Sequence, residues 1–214
     1  MFFVIDFETS ALNPWDGFPL TVGIVPVNHY GDIIAESSHL YVEFPIQQEP
    51  DWHMPANLTE TEQFWLSLKN SETEADNIAF ESAWYRDNGV IIFGDCMSQI
   101  EEFFDFIEPD PKQRFLCANP IAFDKMWMDY LFSDWSRENP YHYRSLCLRS
   151  MRYGLQYGEN PEFGSSREDH EPVIPHHALH DARAEAQDLK QLMNWSRADF
   201  EFKVMSEPET ADDV

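Results

Sequence analysis

The chain has 214 residues, 43% hydrophobic and 15% aromatic, which suits one domain with a full core. Thirty-nine acids face fourteen Lys and Arg, a formal net charge of −25, so most of the surface repels nucleic acid, and only a local patch or bound cations would let it hold a polyanion. Three cysteines at no zinc or redox spacing, no basic-then-apolar leader and no apolar run of membrane length point to a reducing, cytoplasmic setting away from membranes.

The first predicted element is a buried strand over 2–7, which runs straight into Asp6-Phe7-Glu8. TVGIVPV (21–27) predicts a second strand, with Pro26 marking an edge or a bulge because proline has no N–H for a ladder. After a turn at Gly31-Asp32, residues 32–44 predict a third strand and close an antiparallel meander. Three prolines make 45–58 a loop. Thr59 followed three positions later by Glu62 is a capping-box pattern, so 59–70 is expected to be helical, as is 71–87. Apolar positions 97, 100, 103, 104 and 107 repeat at helical spacing across 95–107, and Pro109 and Pro111 stop that helix. A short strand (114–118), a helix (121–132), a strand running into a helix (143–151) and a charged Gly/Pro loop (152–175) follow. The last helix, 177–195, carries Leu179, Ala182, Ala186, Leu189 and Met193 on its inner side. This order predicts an α/β fold, a mixed sheet with antiparallel first three strands flanked by helices. It makes one domain of 1–198 and an acidic, disordered tail of 199–214.

Side chains two apart on a strand share a face, so Asp6 and Glu8 point the same way. Two adjacent carboxylates raise each other's pKa unless a cation lies between them. The D-x-E pattern occurs three times, at 6/8, 169/171 and 199/201, but only the first ends an apolar strand. Thr9 and Ser10 follow it, small residues whose backbone suits close approach of a ligand. Asp124 lies in the first turn of an apolar segment just after a strand, where the helix dipole alone favours an acid. Asp181 lies near the start of the last helix, and His176 is the one histidine with Asp five positions on. Asp181, Glu185 and Asp188 are equally open to reading as one solvated helix stripe.

Taken together, VIDFETSAL, CANPIAFDKMWMDYLF and HHALHDARAEA resemble the three motifs of the DEDDh (DnaQ-like) 3′–5′ exonucleases, over residues 2–195. Two features depart from that pattern. Asn119 and Asp124 are five apart rather than four, and YRSLCLRSM holds no acid where family members often have one. The longer spacing, with the FWLSL segment, looks more like the branch of the phage T4-type exonuclease A and the mycobacterial-type adenylate-preferring exoribonuclease.

The resemblance implies an RNase H-like fold and two divalent cations, Mg²⁺ or Mn²⁺, held by Asp6, Glu8, Asp124 and Asp181. Two such ions about 4 Å apart clamp both oxygens of an in-line displacement at phosphorus. It makes His176 the general base, a role that suits an imidazole with its ordinary pKa of about 6.5. Phe7, Thr9, Ser10, Asn119 and Phe123 would meet the substrate, with stacking on the rings. The implied activity is release of nucleoside 5′-monophosphates from single-stranded RNA or DNA 3′ ends, RNA slightly favoured. The alternative is a catalytically idle nuclease fold or an acidic nucleic-acid mimic. The oligomeric state stays open, a homodimer included.

Overall fold

Alternation along the first strand sorts the molecule into two layers. In β1 (Phe2–Thr9), Phe3, Ile5 and Phe7 turn to one side of the sheet, and Val4, Asp6 and Glu8 to the other. The computed structural model of the chain describes residues 1–46, 59–85, 91–157 and 174–206. Phe3, Ile5 and Phe7 share a core with Met97, Ile100 and Phe104 of α3 (Phe93–Ile107) and with Trp127, Met128 and Leu131 of α4 (Ile121–Asp134). Val4 packs instead with Leu148, the first residue of α5 (Leu148–Tyr157), and with Ala182, Ala186, Leu189 and Leu192 of α6 (Ala178–Ser206). Asp6 and Glu8 therefore face the α5/α6 layer.

The sheet also contains β2 (Pro19–Val27), β3 (Leu40–Glu43), β4 (Phe115–Ala118) and β5 (Ser145–Cys147). Its order is β3-β2-β1-β4-β5. The first three strands pair antiparallel with one another, while β4 and β5 run parallel to β1. This is the mixed α/β sheet with an antiparallel start that the element order predicts.

A smaller core covers the start of β2. There α1 (Glu60–Lys69) and α2 (Glu74–Trp84) gather Trp65, Leu68, Ala79, Phe80 and Ala83 around Leu20. The predicted capping box is formed: the Thr59 hydroxyl accepts from the Glu62 N–H at 3.2 Å, and the Glu62 carboxylate accepts from the Thr59 N–H at 2.7 Å.

Four expectations need correction. The strand expected over 32–44 is only Leu40–Glu43, because Glu36–Ser38 winds into a 3-10 turn and leaves a single bridge between Val27 and Ile33. Pro26 marks no edge, since β2 is an inner strand. Its carbonyl accepts the Ile34 N–H on the side away from β1, so the donor it lacks also faces that side, beyond the end of β3. The loop expected over 152–175 begins later, since α5 continues to Tyr157. The remainder of that loop (158–173) and most of the one expected over 45–58 lie outside the described residues. Helix α6 runs on to Ser206, across the boundary placed at 198, and 207–214 lie outside the described residues.

One missing side chain sets the distance between β2 and α6. Gly23 pairs with Asp6 across the sheet. A Cβ at Gly23 would stand 2.3 Å from the Ala178 carbonyl oxygen and 2.5 Å from the Leu179 Cα. Both are backbone atoms of the first turn of α6, which have no rotamer to yield. Gly23→Ala is expected to lower stability by about 1–3 kcal/mol, the usual cost of overpacking. It should also weaken Mn²⁺ uptake, because it lifts Asp181 away from Asp6 and Glu8. Denaturant titration and Mn²⁺ calorimetry check this, and wild-type values in both would show that the close approach is dispensable.

Candidate active site

Strand β1 loses its parallel neighbour halfway along. β4 is in register only with Phe2–Val4, so the later N–H groups on that side need another acceptor. Asp124, in the first turn of α4, supplies one: its Oδ1 accepts the Phe7 N–H at 3.0 Å, and the residue is 4% exposed. The splay between β1 and β4 thus admits the start of α4 and brings Asp124 to the acid pair of β1.

From the other layer, α6 brings Asp181 in its first turn. Glu8, His176 and Asp181 each place one ligand atom within 4.8 Å of the other two. His176 stands just before α6 in the left-handed region, at φ 61°. A non-glycine residue held there costs about 1–3 kcal/mol, and such residues cluster at functional sites. Its ring lies edge-on against Phe64 of α1, with centroids 4.7 Å apart. His177 and His180 turn elsewhere. They stack on each other at 4.3 Å, and His177 stacks on Tyr41 of β3 at 4.9 Å. Burial, then the neighbouring His180, lowers the His177 pKa to about 4, so its ring is neutral.

The electrostatics are severe. Burial pushes Asp6 well above the usual carboxylate range, and Glu8, Asp124, Glu185 and Asp181 push it further. Glu8 is raised by burial, then by Asp181 and Asp124. Burial carries Asp124 to about 7 against the opposing Phe7 N–H bond, and it raises Asp181 against the pull of His176. The first turns of α4 and α6 aim partial positive charge at these acids, but a helix terminus offers only about half a charge. Glu185, one turn further along α6, lies beyond that help; burial, then Asp124 and Asp181, lifts it to about 9. Such a group of acids is the setting that hard divalent cations fit, since carboxylate oxygens are their ordinary ligands.

Glu185 has no role in the motif-based reading, although its signal was there: it lies four residues after Asp181 and so shares its helix face. The stripe of Asp181, Glu185 and Asp188 is not a solvated one. Asp188 is ion-paired with Arg152 of α5, and Glu185 Oε2 has no solvent contact.

A cleft of about 260 Å³ opens beside Glu8, lined by Phe7, Glu8, Thr9, Leu12, Phe64, Trp65 and Phe123, with Glu60 and Thr61 at its edge. Phe7, Thr9 and Phe123 thus border it, while Ser10 and Asn119 are not among its lining residues. The Ser10 hydroxyl closes the loop after β1, accepting from the Phe18 N–H at 2.8 Å and donating to the Phe18 carbonyl at 3.1 Å. Asn119 precedes a cis proline at the junction of β4 and α4. The Thr9 carbonyl accepts from the Trp65 indole N–H at 2.9 Å, which ties α1 to the end of β1. A larger, more open groove of about 620 Å³ runs along α4, where Trp15 meets Tyr130 edge-on at 6.2 Å.

No protein-family model matches the sequence, and no curated protein matches it by sequence comparison. Solved structures do match. E. coli exonuclease I in complex with a dT13 oligonucleotide superposes with a TM-score of 0.61 at 16% identity, over 94% of this chain and 42% of that one. Cell-death related nuclease 4 gives 0.60 at 13% identity, over 91% and 64%. The nuclease domain of 3′hExo, a DEDDh family member bound to rAMP, gives 0.55 at 14% identity, over 90% and 91%. The fold is that of the DEDDh exonucleases. It is the RNase H-like arrangement of a mixed sheet between helices, which the three motifs imply. The chain spans under half the length of exonuclease I and just under two thirds of cell-death related nuclease 4. No helix among the described residues is long and apolar enough to cross a membrane.

Proposed function

We propose that the protein is a metal-dependent 3′–5′ exonuclease that releases nucleoside 5′-monophosphates from single-stranded ends. One observation carries this reading. Half-buried and buried carboxylates from three separate elements converge with the exposed His176 beside a cleft faced with aromatic rings. A mimic of nucleic acid has no use for acids turned inward, where they repel one another.

In this reading Asp6, Glu8, Asp124 and Asp181 hold two divalent cations, Mg²⁺ or Mn²⁺. When bound, such ions polarise the phosphate and stabilise the attacking and leaving oxygens of an in-line displacement. Glu8 and Asp181 orient that centre from β1 and α6, and an imidazole nitrogen of His176 accepts the proton of the attacking water. The terminal base enters the cleft against Phe123, Phe64 and Leu12, where each ring face is worth about 1–3 kcal/mol per stacked base. A short single-stranded end suits a chain of net charge −25, because few phosphates then approach the acidic surface. RNA is slightly favoured over DNA on the branch resemblance. In this reading the domain of 1–198 carries every residue named above.

The test is digestion of 5′-labelled single-stranded RNA and DNA with Mg²⁺ or Mn²⁺. The expected result is a ladder shortening from the 3′ end, mononucleotides carrying a 5′-phosphate, and no reaction in EDTA. Products ending in a 3′-phosphate, or digestion that survives EDTA, would overturn the chemistry. No digestion with either metal would favour the idle fold.

A further inference from the structure

We propose that the groove along α4 is the track for the nucleotides upstream of the terminal one, with Trp15 as the platform on which one of their bases stacks. The proposal deepens the nuclease reading above and rests on it. Trp15 is 76% exposed, yet the chain holds it in place. In the loop after β1, the side-chain carbonyl of Asn13 accepts the Trp15 and Asp16 N–H groups at 3.1 and 3.2 Å, and its amide donates to the Asp16 carboxylate at 2.6 Å. The paired bonds between Ser10 and Phe18 close the base of that loop. The indole rests edge-on against Tyr130, which in turn meets the buried Trp127 at 6.4 Å. A large ring held out into water is an apolar surface that a stacked base would cover. Such stacking tolerates any sequence, because every base has a π-face.

Two observations commit the groove to a single strand of nucleic acid. It adjoins the terminal-base cleft on two elements at once. Leu12 borders the cleft and Trp15 the groove, on one short loop, while on α4 Phe123 borders the cleft and Ala122 and Met126 the groove. A strand that ends against Leu12 and Phe123 therefore leaves along α4. The groove is also less hostile to phosphate than the rest of a chain of net charge −25. Lys125 lines it, and the exposed Arg144, with its guanidinium 5.7 Å over the Tyr143 ring, precedes Ser145 at its side. The Asp129 carboxylate in the groove is already met by Lys125, Asn139 and Tyr141. At about 1.5 Å per residue α4 is about 20 Å long, which admits at most about six nucleotides at the stacked rise of about 3.4 Å. The exposed Asp134 stands at the far end, where its charge turns further phosphates away.

The probes are unlabelled oligo(dT) and oligo(U), each as a dinucleotide and a twelve-mer, with release of mononucleotide by the full chain as the readout in Mg²⁺ or Mn²⁺. Wild type is expected to show a lower KM for the twelve-mer than for the dinucleotide. Trp15→Ala should raise the twelve-mer KM by about 5–150-fold, the range that loss of one stacked base implies, and so erase the preference for length. Trp15→Phe keeps a ring face and should keep most of the preference. Arg144→Ala should flatten the salt dependence of twelve-mer digestion, by about 0.7 in the log–log slope for one lost phosphate contact. A wild type with no preference for length would overturn the proposal, as would a Trp15→Ala variant that retains it. An equal rise in KM for both lengths would also overturn it, since that marks a distorted cleft. So would an intact preference with a change from dimer to monomer on sizing, which assigns the groove to a second copy of the chain. If wild type digests neither length, the nuclease reading falls with the proposal. If wild type digests both and Trp15→Ala keeps its preference, only the track falls.

Discussion

Replacing His176 with alanine is expected to slow hydrolysis by about 10²–10⁴-fold, the usual loss when a general base is removed. Uptake of Mn²⁺ should survive, because the carboxylates remain. The geometry makes the effect specific to one of three clustered histidines. His176 alone reaches Glu8 and Asp181, whereas His177 and His180 stack beneath Tyr41 on β3. His177→Ala and His180→Ala should therefore keep most of the activity and lose some stability through the broken stack. The left-handed backbone at His176 adds a second readout. His176→Gly relieves that backbone, so it should be as inactive as the alanine variant while folding at least as well. Single-turnover rates with excess Mn²⁺ check all four variants. A dead His180→Ala beside an active His176→Ala would show that the proton leaves by another route.

Without cations, the stability of the protein is expected to fall steeply as pH rises from about 5 to 9. The folded chain holds protons on carboxyls that the unfolded chain releases near the ordinary pKa of about 4. Asp124 keeps its proton to about 7 and Glu185 to about 9, and Asp6 and Glu8 are also raised. Their stabilising contribution is complete below the unfolded-state pKa and disappears as pH passes through the folded-state values. Each pKa unit is worth about 1.4 kcal/mol, so the set amounts to several kcal/mol, a large share of a domain's stability. Mg²⁺ should reverse the trend. It binds the ionised carboxylates and only in the folded state, so the stabilisation it adds grows with pH. Thermal midpoints across this pH range, in EDTA and in excess Mg²⁺, are the measurement. A midpoint in EDTA that is flat or rises with pH would mean that the acids do not share one buried site.

Much of this was legible in local patterns. The period of two in VIDFET orients Asp6 and Glu8 together, and the Thr59–Glu62 box marks the start of α1 to the residue. Local chemistry decides both, so neighbouring residues suffice to read them. The strand expected over 32–44 failed for the opposite reason. Its apolar character is real, but pairing partners end a strand, and β2 forms a continuous ladder only with Leu40–Glu43, leaving a lone bridge at Ile33. Pro26 was misplaced on similar grounds, since a missing N–H matters only on the side where a neighbour waits.

The same division runs through the site. By itself the sequence determined which acids could matter, because D-x-E at a strand end and H-x4-D before a helix are short-range patterns of spacing. Tertiary structure alone decided which of them meet. The splay of β1 from β4 lets Asp124 reach the Phe7 N–H, and the bare Cα of Gly23 lets α6 descend onto β2. That descent carries Glu185 into the cluster, while Asp188 stays outside it, paired with Arg152. Nothing in a row of acids along one helix tells which turn will be pressed into the sheet. That depends on the close packing of backbones distant in sequence, and it takes one carboxylate oxygen of a surface-like stripe out of solvent.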